Sequence, residues 1–364
     1  MSPLPRSYHG YYIAAMVLHD LAPRRPMTDY GIQIPILHSN TQRSLEYLLG
    51  RPDFAARREE WLIQEEIAPL SRQQIARVHD ADYARRLTGT GDPRPLRERE
   101  PTAAEREVMR TYELVSEDGS YHRFDPTQAR FSLIDLRDQA LRIAAGTIRA
   151  AEIALDGPDR FCFYFGGGMH HGQYNFGEGF CPVNDLVVAV KDLQSRGRIQ
   201  TAWVVDVDAH KGDGTAALTA EDPSVSSLSI HMAKGWPLDQ PLILADGRPN
   251  PSYVASDVDI PVDSGEEAEY LQRLQSGMDE METRFALPDL VVVVDGSDPY
   301  ERDQLPSTQL LKLSLSQMLE RDLFLYRWIR EREIPTAFVM AGNYGYHSWE
   351  VYSQFLERQI RGIT

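Results

Sequence analysis

Thr201-Ala202-Trp203-Val204-Val205-Asp206-Val207-Asp208-Ala209-His210-Lys211-Gly212-Asp213-Gly214 joins two kinds of sequence. Its first half holds an unbroken apolar run, Ala202 to Val205, and its second half alternates carboxylates, an imidazole and glycines. An apolar run of strand length without polar alternation suits a strand buried on both faces, as in a parallel sheet. The β-rich run here is Thr201–Asp206, and further ones are Phe161–Phe165, Ser226–Ile230, Leu290–Val294 and Thr336–Met340. Helical patterns separate most of them, for example Arg137–Leu155 and Glu266–Arg284. This alternation predicts an α/β fold: a single domain over residues 1–364, with a parallel β-sheet flanked by helices on both faces. The Gly- and Pro-rich stretch Gly89–Pro101 reads as a surface loop inside that domain and not as a linker.

Parallel sheets bind ligands at the carboxyl ends of their strands, so the residues just past each run matter most. After Phe161–Phe165 comes Gly166-Gly167-Gly168-Met169-His170-His171-Gly172. After Val291–Val294 comes Asp295-Gly296-Ser297-Asp298, and after Thr336–Met340 comes Ala341-Gly342-Asn343-Tyr344-Gly345. In an extended segment, residues two apart share a side, so Asp206, Asp208 and His210 are expected to converge. Carboxylate oxygen and imidazole nitrogen suit a borderline divalent ion such as Zn²⁺. Asp298, at another strand end, offers a third ligand, and three protein ligands leave the open position of a catalytic site. A lone Asp-x-His is more often a plain strand-end turn. Asp298 and the histidine pair on neighbouring strand ends reverse that balance. A histidine beside such an ion can take a proton from water and return it to a leaving amine, best when a carboxylate fixes its tautomer. His170 and His171 are the candidates, with Asp206 and Asp213 as spare carboxylates. Tyr344 can donate a hydrogen bond to an oxyanion.

The chain has 364 residues, 42% hydrophobic and 25% charged, enough for a substantial core. Lysine and arginine number 38 against 54 aspartates and glutamates, a net charge of −16. That balance repels nucleic acid and anionic membranes and favours cationic partners such as lysine side chains or polyamines. Two cysteines, Cys162 and Cys181, make neither a disulfide framework nor a Cys-rich metal site. The apolar stretch Tyr11–Leu18 is too short to cross a membrane and lacks the features of a signal peptide. The expectation is a cytoplasmic protein with neither nucleic acid nor membrane as a partner, its oligomeric state left open.

These strand-end residues resemble the histone deacetylase family, within the arginase–deacetylase fold. Gly168-Met169-His170-His171-Gly172, continuing through Gly179-Phe180-Cys181-Pro182-Val183-Asn184-Asp185, resembles the family's G-x-H-H-A … G-F-C-x-x-N-D with its spacing kept. Asp206 to Gly214 resembles D-x-D-x-H-x-G-D-G. Gly296-Ser297-Asp298, followed by Asp303-Gln304-Leu305, resembles G-x-D-x-x-x-x-D-x-L. Val78-His79-Asp80-Ala81-Asp82-Tyr83 and the helix Gly146–Ala151 are weaker echoes, and the likeness runs over roughly residues 30–355.

The resemblance implies a zinc-dependent amide hydrolase that releases a free amine and a carboxylate from an acyl-lysine peptide or protein, or from a small acetylated amine. It implies Asp208, His210 and Asp298 as ligands of Zn²⁺, a set that also accommodates Fe²⁺. His171, oriented by Asp213, is implied as general base and acid. His170, paired with Asp206, assists electrostatically, and Tyr344 polarises the acyl carbonyl. Gly179, Phe180 and Leu305 are implied as walls of a tunnel for the amine's alkyl chain. Leu305 stands where the closest polyamine deacetylases carry a glutamate, which favours an acyl-lysine stem. A structural K⁺ is implied at the main-chain oxygens of Asp206, Asp208 and His210, with Ser229 and Ile230. Asn343 departs from the family's G-G-G-Y, and Lys211 replaces a frequent histidine. Tyr346 therefore remains an alternative to Tyr344. Asp295 competes with Asp298, because Asp295-Gly296-Ser297-Asp298-Pro299 resembles the arginase D-x-D-G-x-D-P, although Gly296 and Asp303 favour Asp298. Rival functions are an acetylpolyamine deacetylase, a binuclear ureohydrolase and a non-catalytic acyl-lysine binding module. The second expects a carboxylate where Gly296 stands. The third would have lost a ligand or both histidines.

Overall fold

The computed structural model describes residues 16–36, 39–116, 118–244 and 247–362. Among these residues, eight strands form one sheet: β1 (Met16–Asp20), β2 (Leu62–Glu65), β3 (Phe161–Tyr164), β4 (Ala202–Asp206), β5 (Val225–Met232), β6 (Val258–Val262), β7 (Leu290–Asp295) and β8 (Thr336–Met340). Their order is β2-β1-β3-β8-β7-β4-β5-β6, and every adjacent pair is parallel. All five expected strands are present; β8 matches to the residue, and Ser226–Ile230 lengthens to Val225–Met232. Three strands were not expected. β1 takes up the end of the Tyr11–Leu18 stretch, whose residues 11–15 lie outside the described residues. β2 has only four residues. β6 carries Asp259 and Pro261, a composition tolerated because it pairs on one side only, at the sheet edge.

The principal helices are α1 (Ser39–Leu49), α2 (Leu133–Asp156), α3 (Asp185–Ser195), α4 (Tyr270–Arg284), α5 (Leu315–Glu331) and α6 (Trp349–Arg361). α2 starts earlier than its apolar pattern indicated because Ser132 and Asp135 form a capping box, each satisfying the other's backbone N–H. The segment Glu267–Glu269, expected as helix, is a 3-10 turn leading into α4. In β4, Trp203 and Val205 pack into one cluster with Leu274 and Met278 of α4 and Leu325 of α5. Ala202 and Val204 pack on the opposite face with Ala150 of α2 and Leu186 and Val190 of α3. Both faces are buried, which is why the strand reads as continuously apolar; each valine buried this way contributes about 1.5–3 kcal/mol. The Gly89–Pro101 segment is a loop with one 3-10 turn, tied down by the buried pair of Arg99 Nη2 and Glu105 Oε1 at 2.6 Å. Among the described residues, no helix is long and apolar enough to cross a membrane.

The four central strands, β3, β8, β7 and β4, lie side by side. Their carboxyl ends carry the four polar segments singled out in the sequence.

Candidate active site

β4 ends at Asp206 and the chain then bends through Asp208–His210. Strict alternation needs extended backbone, so the expected convergence of three side chains holds for two only. Asp208 and His210 meet Asp298, and one ligand atom from each lies within 4.8 Å of the others. Asp206 turns elsewhere: its Oδ2 accepts from His170 Nδ1 at 2.7 Å, and its Oδ1 accepts from the Asp208 N–H at 3.1 Å.

His210 Nδ1 lies 3.2 Å from both Asp208 Oδ1 and Asp298 Oδ2. The Gly342 N–H donates to Asp208 Oδ2 at 2.9 Å, and the Ala209 N–H donates to Asp298 Oδ1 at 2.9 Å. Asp298 Oδ2 is buried without a hydrogen bond of acceptable geometry. Burial, and next the charge of Asp208, push the Asp298 carboxyl up to about 7. Two crowded, buried carboxylates and an imidazole fit a divalent cation with a coordination position left open. Glycine is required around them: a side chain at Gly296 would run into Asp208, and one at Gly342 into both carboxylates.

Asp295 is not part of this cluster. Its Oδ1 accepts from Arg321 Nη2 at 2.5 Å. Arg321 is fully buried; its Nε donates to Asp322 Oδ1 at 2.7 Å, and its Nη1 donates to the Val207 and Gly296 carbonyls at 2.9 and 2.8 Å. The guanidinium thus ties the end of β4 to the end of β7, one residue before Asp208 and two before Asp298.

His171 Nδ1 donates to Asp213 Oδ1 at 2.6 Å. The other Asp213 oxygen accepts from Gln173 Nε2 at 2.9 Å, and the same nitrogen donates to Glu178 Oε1 at 3.1 Å. The two histidines titrate apart. Burial and then the charge of His170 hold His171 down to about 4, with Asp213 pulling the other way. Burial opposes charging of His170 too, but Asp206 and then Asp208 overcome it and raise that imidazole to about 9.

His170, His171, Asp208 and Tyr344 line a cavity of about 120 Å³ together with Gly179 and Phe180. Tyr344 faces this cavity, whereas Tyr346 is exposed with the Arg43 guanidinium 3.8 Å from its ring centroid. Burial pushes the Tyr344 hydroxyl well above its ordinary value, so it stays a donor. Gly179 and Phe180 both have positive φ, +54° and +66°. The Phe180 ring stacks on Tyr112 and meets Tyr344 edge-on. Leu305 does not line the cavity; it is half-buried on the adjacent turn. Asp206 pairs in register with Ser229 across β4 and β5, and Ser229 Oγ accepts from the Gly212 N–H at 3.3 Å, with Ile230 buried beside it.

Other parts of the site were given no role from the sequence, although Asp185, His79 and Asp303 stand in the segments quoted there. Trp236 packs edge-on against His171, ring centroids 4.4 Å apart, and nothing in a single Trp-Pro pair marks this. Asp185 accepts from the Gly168 and Met169 N–H groups at 3.0 and 2.6 Å and so shapes the glycine run ahead of the histidines. His79, from one of the weaker echoes, donates from Nδ1 to the Gln173 carbonyl at 2.8 Å and accepts at Nε2 from the Asn184 N–H at 3.0 Å. Asp303 Oδ2 accepts from the Tyr344 and Gly345 N–H groups at 2.9 and 2.8 Å, anchoring the last turn.

A parallel α/β sheet with this cluster at its central strand ends has the build of an arginase–deacetylase fold. The chain belongs to the histone deacetylase family: the model of the histone deacetylase domain matches residues 39–362. It is 30% identical over 228 residues to an uncharacterized protein of Picosynechococcus sp., covering 62% of this chain and 70% of that protein. It is 30% identical over 220 residues to Histone deacetylase 2 of Arabidopsis thaliana, covering 59% of this chain and 52% of the plant protein, about half its length. It is 26% identical over 300 residues to the acetoin utilization protein AcuC of Bacillus subtilis, covering 80% of this chain and 70% of that protein. Family and relatives together support a deacetylase hydrolase.

Proposed function

We propose that residues 1–364 form a single deacetylase domain that hydrolyses the amide of acyl-lysine-like substrates with a zinc ion held by Asp208, His210 and Asp298. The observation that carries this reading is the buried Asp208–His210–Asp298 cluster beside two histidine–carboxylate pairs. Asp208, His210 and Asp298 would hold Zn²⁺, or Fe²⁺, which when bound would supply a Lewis acid for the acyl carbonyl and the attacking water.

His171 is neutral near pH 7 and takes the proton from the attacking water at Nε2, while Asp213 holds Nδ1 and steadies the imidazolium that forms. The same nitrogen then protonates the leaving amine. His170 is charged and paired with Asp206; it lowers the cost of negative charge gathering on the acyl oxygen. The Tyr344 hydroxyl donates to that oxygen, a contact of the kind worth about 3–4 kcal/mol. Gly179 and Phe180 line the passage for the lysine stem, whose methylenes suit an aromatic wall. K⁺ at the main-chain oxygens of Asp206, Asp208 and His210, with Ser229 and Ile230, is the proposed structural cation. A reducing cytoplasmic setting belongs to the proposal and is supported by the unpaired Cys162 and Cys181.

The test is a screen of the purified protein against acetyl- and longer-acyl-lysine peptides and acetylspermidine, with metal analysis of the same preparation. Turnover of acyl-lysine peptides with stoichiometric metal is expected. A clear preference for acetylpolyamines over every peptide would replace the lysine reading with the polyamine one, an outcome made more open by the position of Leu305 off the cavity.

A further inference from the structure

The two ring nitrogens of His210 have different surroundings. Nδ1 points between Asp208 and Asp298. Nε2 lies 3.0 Å from Ser307 Oγ, its only hydrogen-bond partner among the described residues. An imidazole that offers Nδ1 to a metal keeps its proton on Nε2, and that N–H needs an acceptor to hold the ring in place. A serine hydroxyl can accept it and can also turn and donate when the ring's protonation changes.

Ser307 is itself held firmly. It lies in the 3-10 turn Pro306–Thr308, where the proline ring fixes the first φ. Asp303 Oδ1 accepts from the Leu305 N–H at 2.9 Å and from Thr308 Oγ1 at 3.4 Å, and Thr308 Oγ1 also reaches the Leu305 carbonyl at 2.8 Å. The second oxygen of the same Asp303 accepts from the main chain of Tyr344. One short segment therefore braces His210 through Ser307 and the Tyr344 turn through Asp303. Trp236 and His171 approach the His210 ring edge-on, with centroids 5.6 and 5.9 Å away, and fill its flanks.

We propose that Ser307 is the positioning residue of His210: its hydroxyl accepts the Nε2 proton, fixes the tautomer and ring orientation, and so raises the affinity of the site for a divalent cation. The proposal rests on the reading of His210 as a metal ligand. Ser307→Ala removes one hydroxyl from a half-buried turn and leaves the backbone bonds of that turn intact, so the fold is expected to survive.

The experiment measures the apparent dissociation constant for Zn²⁺ by competition with a chromophoric chelator. It uses the full-length wild type, Ser307→Ala, Ser307→Thr and His210→Ala, with melting temperatures of the metal-stripped proteins alongside. Ser307→Ala is expected to bind Zn²⁺ about 10–100-fold more weakly, the usual effect of removing an outer partner of a ligating histidine, at an unchanged melting temperature. Ser307→Thr keeps the hydroxyl and should stay within about threefold of wild type. Ser307→Ala within about twofold of wild type would overturn the proposal. Equal weakening in the alanine and threonine variants would overturn it too, since shape and not the hydroxyl would then matter. If His210→Ala keeps wild-type zinc affinity, the ligand reading itself has failed. If His210→Ala loses zinc while Ser307→Ala does not, only the role of Ser307 falls.

Discussion

His170 and His171 are adjacent in the chain, equally buried, and each donates from Nδ1 to an aspartate at 2.7 or 2.6 Å. They nevertheless belong to two differently built walls of the cavity. The His170 wall is crowded with carboxylates: Asp206 is bonded to it, and Asp208 Oδ1 stands 3.7 Å from its Nε2. The His171 wall is aromatic and amide-lined, with Trp236 against the ring and Gln173 drawing on the charge of Asp213. A single carboxylate partner does not decide a histidine's charge. Burial weighs on both rings, and beyond it the neighbours differ: His170 has two carboxylates, Asp206 and then Asp208, whereas His171 has the positive His170 against the single Asp213. Under the proposed function, the contrast separates a wall that would face the metal and manage fixed charge from a wall that would move protons.

The hardest test of that division removes a ligand. Asp208→Ala or His210→Ala should abolish both bound metal and hydrolysis, since one of the three proposed protein ligands is gone; metal analysis and turnover of the same sample decide it, and retention of both would break the site assignment. His171→Ala should instead keep its metal while losing rate by about 10²–10⁴, and His170→Ala should lose less. A metal-loaded His171→Ala with near-normal turnover would move proton transfer to the other wall. Tyr344→Phe removes one donor at the cavity and should lower kcat by about 10²–10³, with Tyr346→Phe unaffected; the reverse pattern would show that the solvent-facing tyrosine turns inward to work. Leu305→Glu should leave the ratio of kcat/KM values for acetylspermidine over acyl-lysine peptide within about twofold of wild type, because Leu305 stands off the cavity. A shift of about tenfold towards acetylspermidine would show that the turn bearing Leu305 reaches the bound amine.

A separate effect concerns stability on the His171 side. Burial lowers His79 to about 4 against the opposing pull of the Gln173 carbonyl, and the unprotonated Nε2 accepts from the Asn184 N–H. The unfolded chain binds this proton below about pH 6.5 and the folded chain does not until about pH 4, so stability is present at pH 7 and is lost as pH falls through that window. His79 alone accounts for about 3 kcal/mol of that loss. Urea unfolding of the wild type and His79→Asn at pH 7 and pH 4.5 should show the variant less stable at neutral pH but with a shallower fall. Parallel falls would assign the acid sensitivity to other groups.

The central strands were legible because burial on both faces removes polar alternation, leaving runs such as Val291–Val294 that admit few other readings. β2 and β6 were not, because short edge strands carry polar residues and owe their pairing to neighbours distant in sequence. The chemistry divides in the same way. Asp208, His210, Asp213 and the histidine pair lie in segments whose local spacing announces a site. The separate placement of Asp206, the engagement of Asp295 by Arg321, the inward turn of Tyr344 and the positions of Trp236 and Ser307 depend on contacts across strands and turns far apart in the chain. Residue type and short-range spacing therefore set which donors, acceptors and carboxylates the strand ends could offer. Which of them became partners was settled by packing, since an electrostatic preference acts only between groups that the folded backbone has already brought within a few ångströms.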